Sequence, residues 1–212
     1  MFGVMTTEDR LTEAQRRALD KIEKEVDWDR LNEISVELHS ESDRAAVVLG
    51  AAWLDEGMRE LLRAFLLPAR ESKPENDEVL KFSGPLGSYF ARCEMSFRLG
   101  LIGEDFRKAL LQVATIRNKF AHVVGKLDLN KPPFTALIGE LPDIIPSKTF
   151  WREYLKKYYR SERTPRTMLR SKLALMATSL FSASRTFDAR LGNRSSQGNR
   201  CRQGPAFPRS PS

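Results

Sequence analysis

Between Val47 and Phe65 the apolar residues Val47, Ala51, Leu54, Met58, Leu61 and Phe65 recur at spacings of 4, 3, 4, 3 and 4. That is the period of an α-helix with one face turned into a core. Such a stripe cannot stand alone, because it has to be covered by the apolar face of another element. The polar run Glu41-Ser-Asp-Arg44 precedes the stripe and Pro68 follows it, which stops the helix. Asp43 ahead of an apolar run suits a helix cap.

The helical period dominates elsewhere too, and no strand alternation is sustained. The pattern predicts a helix over 13–25. A second follows from Trp28 to Leu38, with Asp27 as its cap and Leu31, Ile34 and Leu38 on one face. Residues 69–79 read as a polar loop. Phe82-Ser-Gly-Pro-Leu-Gly-Ser88 cannot be helical and reads as a turn that lets two helices pack closely. A helix is expected from Ser88 to Leu99 and another from Asp105, as its cap, to Ala121. Prolines make 124–147 an irregular excursion with one short turn. Helices then return at Lys148–Tyr159 and Pro165–Phe187. From Leu191 the chain is rich in Gly, Ser, Arg, Gln and Pro, and can bury too little apolar surface to offset the entropy of ordering. The expected fold class is therefore all-α: a single helical bundle with a disordered basic C-terminal tail. Its helices should pack antiparallel or at steep angles around the 47–65 stripe. In domain terms this gives a helical core over 1–147, basic C-terminal helices over 148–190 packing on it, and the tail over 191–212.

Charge divides the same way. Residues 1–150 hold 21 Lys and Arg against 25 Asp and Glu, 151–190 hold 10 against 3, and 191–212 hold 4 against none. A mildly acidic body thus carries a basic C-terminal third. Such a stripe attracts phosphate backbones or acidic partners, or it is a solvated helix face. Lys148-Thr-Phe-Trp-Arg-Glu-Tyr-Leu-Lys-Lys-Tyr-Tyr-Arg160 interleaves aromatic and basic residues. That suits RNA contact by stacking and phosphate pairing, with the tail assisting, or aromatic anchors facing a core. Two distant cysteines and two histidines give no disulfide framework, no metal site and no cofactor motif. No apolar run approaches the roughly 20 residues of a membrane span, and no signal peptide is read at the N-terminus. A cytoplasmic setting is expected.

The sharpest local feature is Arg117-Asn118-Lys119-Phe120-Ala121-His122. At about 100° per residue, Asn118 and His122 lie one turn apart on one face, flanked by Arg117. Arg117 could neutralise phosphate charge, His122 exchange a proton and Asn118 orient groups. The same trio could equally pair and cap within the fold. Glu41, Asp43 and Arg44 could supply the carboxylate side of a site facing Arg117. These six residues, Glu41, Asp43, Arg44, Arg117, Asn118 and His122, are the partner- or ligand-binding candidates. No convincing helix-turn-helix with a basic second helix is present.

An Arg-Asn pair, three residues and then His near a helix end resembles the signature of the HEPN superfamily. That resemblance implies a metal-independent ribonuclease or toxin using Arg117, Asn118 and His122, in a homodimer. A longer resemblance rests on three ordered blocks. They are Glu41-Ser-Asp-Arg44-Ala-Ala-Val-Val-Leu-Gly-Ala-Ala-Trp-Leu54, then Gly84-Pro-Leu-Gly-Ser88 with Phe97-Arg-Leu-Gly-Leu-Ile102, then Ile116-Arg-Asn-Lys-Phe-Ala-His122. Together they resemble the mannitol operon repressor family over about 28–125. This implies a compact helical bundle and transcriptional repression of a sugar or related operon. The action would run through protein partners, the transcription machinery or another regulator, without a DNA-reading motif or turnover. The basic stretch from Trp151 to Arg190 and the tail have no counterpart in that pattern.

Overall fold

The computed structural model describes residues 27–66, 77–122, 125, 127–142 and 148–198. Among these are seven helices and no strand, the all-α class expected. They are α1 (Trp28–Ser40), α2 (Asp43–Phe65), α3 (Tyr89–Arg98), α4 (Glu104–His122), α5 (Phe134–Gly139), α6 (Lys148–Tyr159) and α7 (Pro165–Gly198). The helix expected over 13–25 lies outside the described residues, as do Pro68 and the tail from 199. The helical backbone of α7 runs past Leu191 to Gly198, so the change in composition does not coincide with the helix end.

Local chemistry sets most helix starts. The Asp27 side chain accepts from the Arg30 N–H at the head of α1, and the Ser88 side chain accepts from the Ala91 N–H at the head of α3. Two cap assignments are corrected. α2 is capped by Ser42, which accepts from Ala45 N–H, and Asp43 is already helical. α4 begins at Glu104, with Asp105 inside its first turn. Gly100, at φ +71°, ends α3, and Leu101 N–H closes back on Ser96 C=O at 2.9 Å.

The core is centred on α2 and α7. From Leu169 to Thr178 every residue of α7 is buried, as befits a helix enclosed on all sides. The two helices run parallel. Asp43 pairs with Arg166 at one end, Leu173 lies against Gly50, Leu180 against Gly57, and the Phe65 and Phe187 rings meet at 5.8 Å at the other end. This corrects the antiparallel or steep packing expected around the stripe. The long connection between α2 and α7 returns the chain to the starting end, so a parallel neighbour costs no strained loop. Glycine explains the close approach. A Cβ on Gly50 would stand 2.6 Å from Leu173 Cδ1, and one on Gly57 2.8 Å from Leu180 Cβ. The turn at Gly84 and Gly87 was expected to permit such packing. Those glycines instead meet backbone of their own loop, Gly84 facing Glu78 C=O and Gly87 facing Phe82 C=O.

The remaining helices cover this pair. α1 lies antiparallel to α7, with Asp27 paired to Arg185 at one end and Arg170 bonded to the His39 C=O at the other. Arg30 sits over the rings of Trp53 and Phe181 at 4.4 and 4.7 Å, joining α1, α2 and α7. Arg92 of α3 grips Asp55 of α2 through Nε at 2.9 Å and Nη2 at 2.7 Å, and donates to Leu86 C=O at 2.7 Å. α5 is held on α4 by the Phe120–Phe134 ring contact at 4.3 Å and by Gln112 donating to Leu137 C=O. No helix among the described residues is long and apolar enough to cross a membrane.

Candidate functional site

At the end where α2 and α7 both begin, charge collects around Asp43. Its carboxylate is buried and accepts from the Leu129 N–H at 3.0 Å, from Arg166 Nη2 at 3.0 Å and from Arg170 Nη2 at 3.1 Å. Arg166 Nε also stands 2.8 Å from Asp43 Oδ1, close enough for ion pairing though without hydrogen-bond alignment. The hydrogen bond it donates to Asp43 raises the Arg166 guanidinium above its ordinary value, against a smaller opposing effect of burial. Arg170 is buried, and it donates as well to His39 C=O at 2.9 Å and Glu41 C=O at 2.7 Å. One guanidinium thus ties the C-terminus of α1, where a cation suits the macrodipole, to the start of α2, where the Asp43 carboxylate does so.

The 127–131 turn completes the cluster. Asp128 accepts from Arg166 Nη2 at 3.1 Å and from the Asn130 N–H at 2.9 Å, and Asn130 accepts from the Arg166 N–H at 3.1 Å. Arg166 lines two adjoining clefts. The first, of about 560 Å³, is formed by Glu41, Ser42, Asp43, Arg44, Gly125, Leu127, Arg166 and Arg170. The second, of about 710 Å³, is formed by Lys119, Leu127, Asp128, Lys131, Pro132, Pro133, Phe134 and Arg166.

Glu41, Asp43 and Arg44 therefore do share a cleft, with Arg44 Nη2 donating to Gly125 C=O at 3.1 Å. Asp43 does not face Arg117. Its cationic partners are Arg166 and Arg170, contributed by a helix more than a hundred residues away in sequence. Arg117 is half-buried on the side of α4 near Tyr89, whose hydroxyl donates to Leu110 C=O at 3.1 Å. Burial above all pushes the Tyr89 phenol far up, and the Arg117 charge only partly offsets this. Asn118 is exposed, and the His122 side chain lies outside the described residues. No group of His, Cys, Asp and Glu suited to a metal ion occurs among the described residues.

The basic C-terminal third divides between core and surface. Lys172 is buried and donates to Leu141 C=O and Pro142 C=O, each at 3.0 Å, so it and Arg170 serve the interior. In α6, Phe150, Trp151, Tyr154 and Tyr159 are buried, while Arg152, Lys156 and Lys157 are exposed. The Tyr154 hydroxyl meets Ser35 Oγ at 2.6 Å. The buried rings are not available to stack on bases, which leaves the cations and the half-buried Tyr158 on the outer face.

The sequence reading passed over Arg166, Arg170, Lys131 and Asp128. A signal existed for the first two. They stand four apart, on one face of a helix rich in apolar and small residues, so a carboxylate partner for that face was to be expected.

No protein-family model matches this chain, and no curated protein matches it in sequence. Among solved structures, the chain is similar to one in the X-ray structure of the MtlR-HPr complex from Escherichia coli. The TM-score is 0.54 at 16% identity, and the match covers 72% of this chain and 98% of that one. At that identity the likeness establishes the fold, which is MtlR-like.

Proposed function

We propose that this chain is an MtlR-like transcriptional regulator that acts by engaging a protein partner and not by turnover of its own. The observation that carries the reading is the fold likeness, which spans 98% of the neighbour's chain. It agrees with the resemblance of three ordered sequence blocks to the mannitol operon repressor family. The neighbour was crystallised with HPr, so an HPr protein is the first partner to test. The described geometry supports binding over catalysis. The Asp43 carboxylate is buried and engaged by two arginines and a backbone N–H, which hold it as a structural ion-pair partner. Arg117 is set towards Tyr89 and away from that carboxylate.

The competing ribonuclease is tested directly. Single-stranded and structured RNA are incubated with the wild type and with His122→Ala, in EDTA, after circular dichroism has shown both folded. A regulator leaves both RNAs intact. Cleavage by the wild type that His122→Ala abolishes would replace this reading with a metal-independent nuclease.

A further inference from the structure

We propose that the larger cleft beside Arg166 binds a small phosphorylated metabolite, with its phosphate between Lys119, Lys131 and the outer edge of Arg166. The inference needs neither the regulator reading nor HPr. It begins with how Arg166 is held. Nε and Nη2 are turned to Asp43 and Asp128, which fixes the plane of the guanidinium. Nη1 makes no hydrogen bond among the described residues, and the side chain is 40% exposed. A guanidinium anchored on one edge and open on the other loses little freedom when an anion arrives, and its fork suits two phosphate oxygens.

Two further cations share its cleft. Lys119 comes from the last turns of α4 and Lys131 from the turn before α5, and both line the same cleft of about 710 Å³. Both are exposed, and neither side chain makes an ion pair or hydrogen bond among the described residues. Against Lys119, Lys131 and Arg166 the lining holds one carboxylate, Asp128. Three cations to one anion leaves a surplus of two charges, which a phosphate monoester near neutral pH would match at roughly −1.5 to −2. The rest of the lining, Leu127, Pro132, Pro133 and Phe134, is apolar and would receive the carbon body of the ligand. The cleft volume falls within the roughly 300–1,000 Å³ of small-molecule sites.

The test is calorimetric titration of the full chain with phenyl phosphate, inorganic phosphate, benzoate and a hexaglutamate peptide. It is run on the wild type, Lys119→Ala, Lys131→Ala and the double variant, each checked by circular dichroism. Phenyl phosphate is expected to bind with a Kd of about 1 mM or tighter. Inorganic phosphate and benzoate should bind roughly tenfold more weakly, and each lysine removed should cost about tenfold. Raised salt should weaken binding. Absence of saturable binding of phenyl phosphate overturns the proposal, as does affinity unchanged in the folded double variant. Equal affinity for inorganic phosphate and phenyl phosphate overturns an organic ligand. Lysine-dependent binding of hexaglutamate alone would make the cleft a protein-docking surface and overturn it as well.

Discussion

Asp43 carries the largest electrostatic load of any single residue at the candidate site. Removing it leaves Arg170 a buried cation with only carbonyl partners, and strands the Leu129 N–H. Breaking a buried pair from one side costs about 3–5 kcal/mol, whereas the half-exposed Arg166 contributes less because water screens it. Asp43→Ala should therefore lower unfolding free energy by about 3 kcal/mol in urea titration. A loss under about 1 kcal/mol would mean that Arg170 is held by carbonyls alone. A second expectation concerns Tyr159, whose phenol burial pushes from 10.0 up to about 12. The folded form keeps its proton where the unfolded form has lost it. Its stabilisation is thus complete below pH 10 and fades as pH rises towards 12. Denaturant midpoints measured across that range should fall with pH, and less steeply in Tyr159→Phe. Position before an apolar run marked Asp43 as a cap, a role that falls to Ser42, and its partners were not legible, since nothing local links it to Arg166 and Arg170.

Among the elements, α2 and α7 set the geometry of everything else. Gly50 and Gly57 are seven apart, as are Leu173 and Leu180, so one register is kept along the contact. An added methyl at Gly57 would press on the Cβ of Leu180, which cannot move without its backbone, while at Gly50 it presses on a mobile Cδ1. Overpacking costs about 1–3 kcal/mol, and alanine returns about 1 kcal/mol of helix propensity. Gly57→Ala should destabilise by up to about 2 kcal/mol in urea titration, and Gly50→Ala by less. The reverse order would show that the α2–α7 contact relaxes by backbone shift. Helix positions were legible from caps, prolines and period, because those signals act within a few residues. The pairing was not. Glycine in a helix reads as a weak point until its neighbour is known, and α7, apolar and small on every side, shows no face to choose.

At the scale of the whole molecule, a bundle built on a parallel pair places the starts of both central helices at one end. The 125–134 stretch and the end of α4 meet them there and form the clefts around Arg166. The sequence motif at 117–122 pointed towards this end of α4, yet among its described side chains only Lys119 lines the clefts. Helical phase explains the difference: a turn of about 100° per residue sends Arg117 towards Tyr89 and Lys119 towards α5. The basic third likewise looked like one surface from composition, but Arg170 and Lys172 are interior. The molecule is thus an MtlR-like fold with exposed cations around Arg166. The most direct measurement is calorimetric titration of an HPr protein into the full, folded chain. The account predicts a saturable one-to-one complex with a Kd of about 10 µM or tighter. No heat of binding from a chain shown to be folded would contradict it.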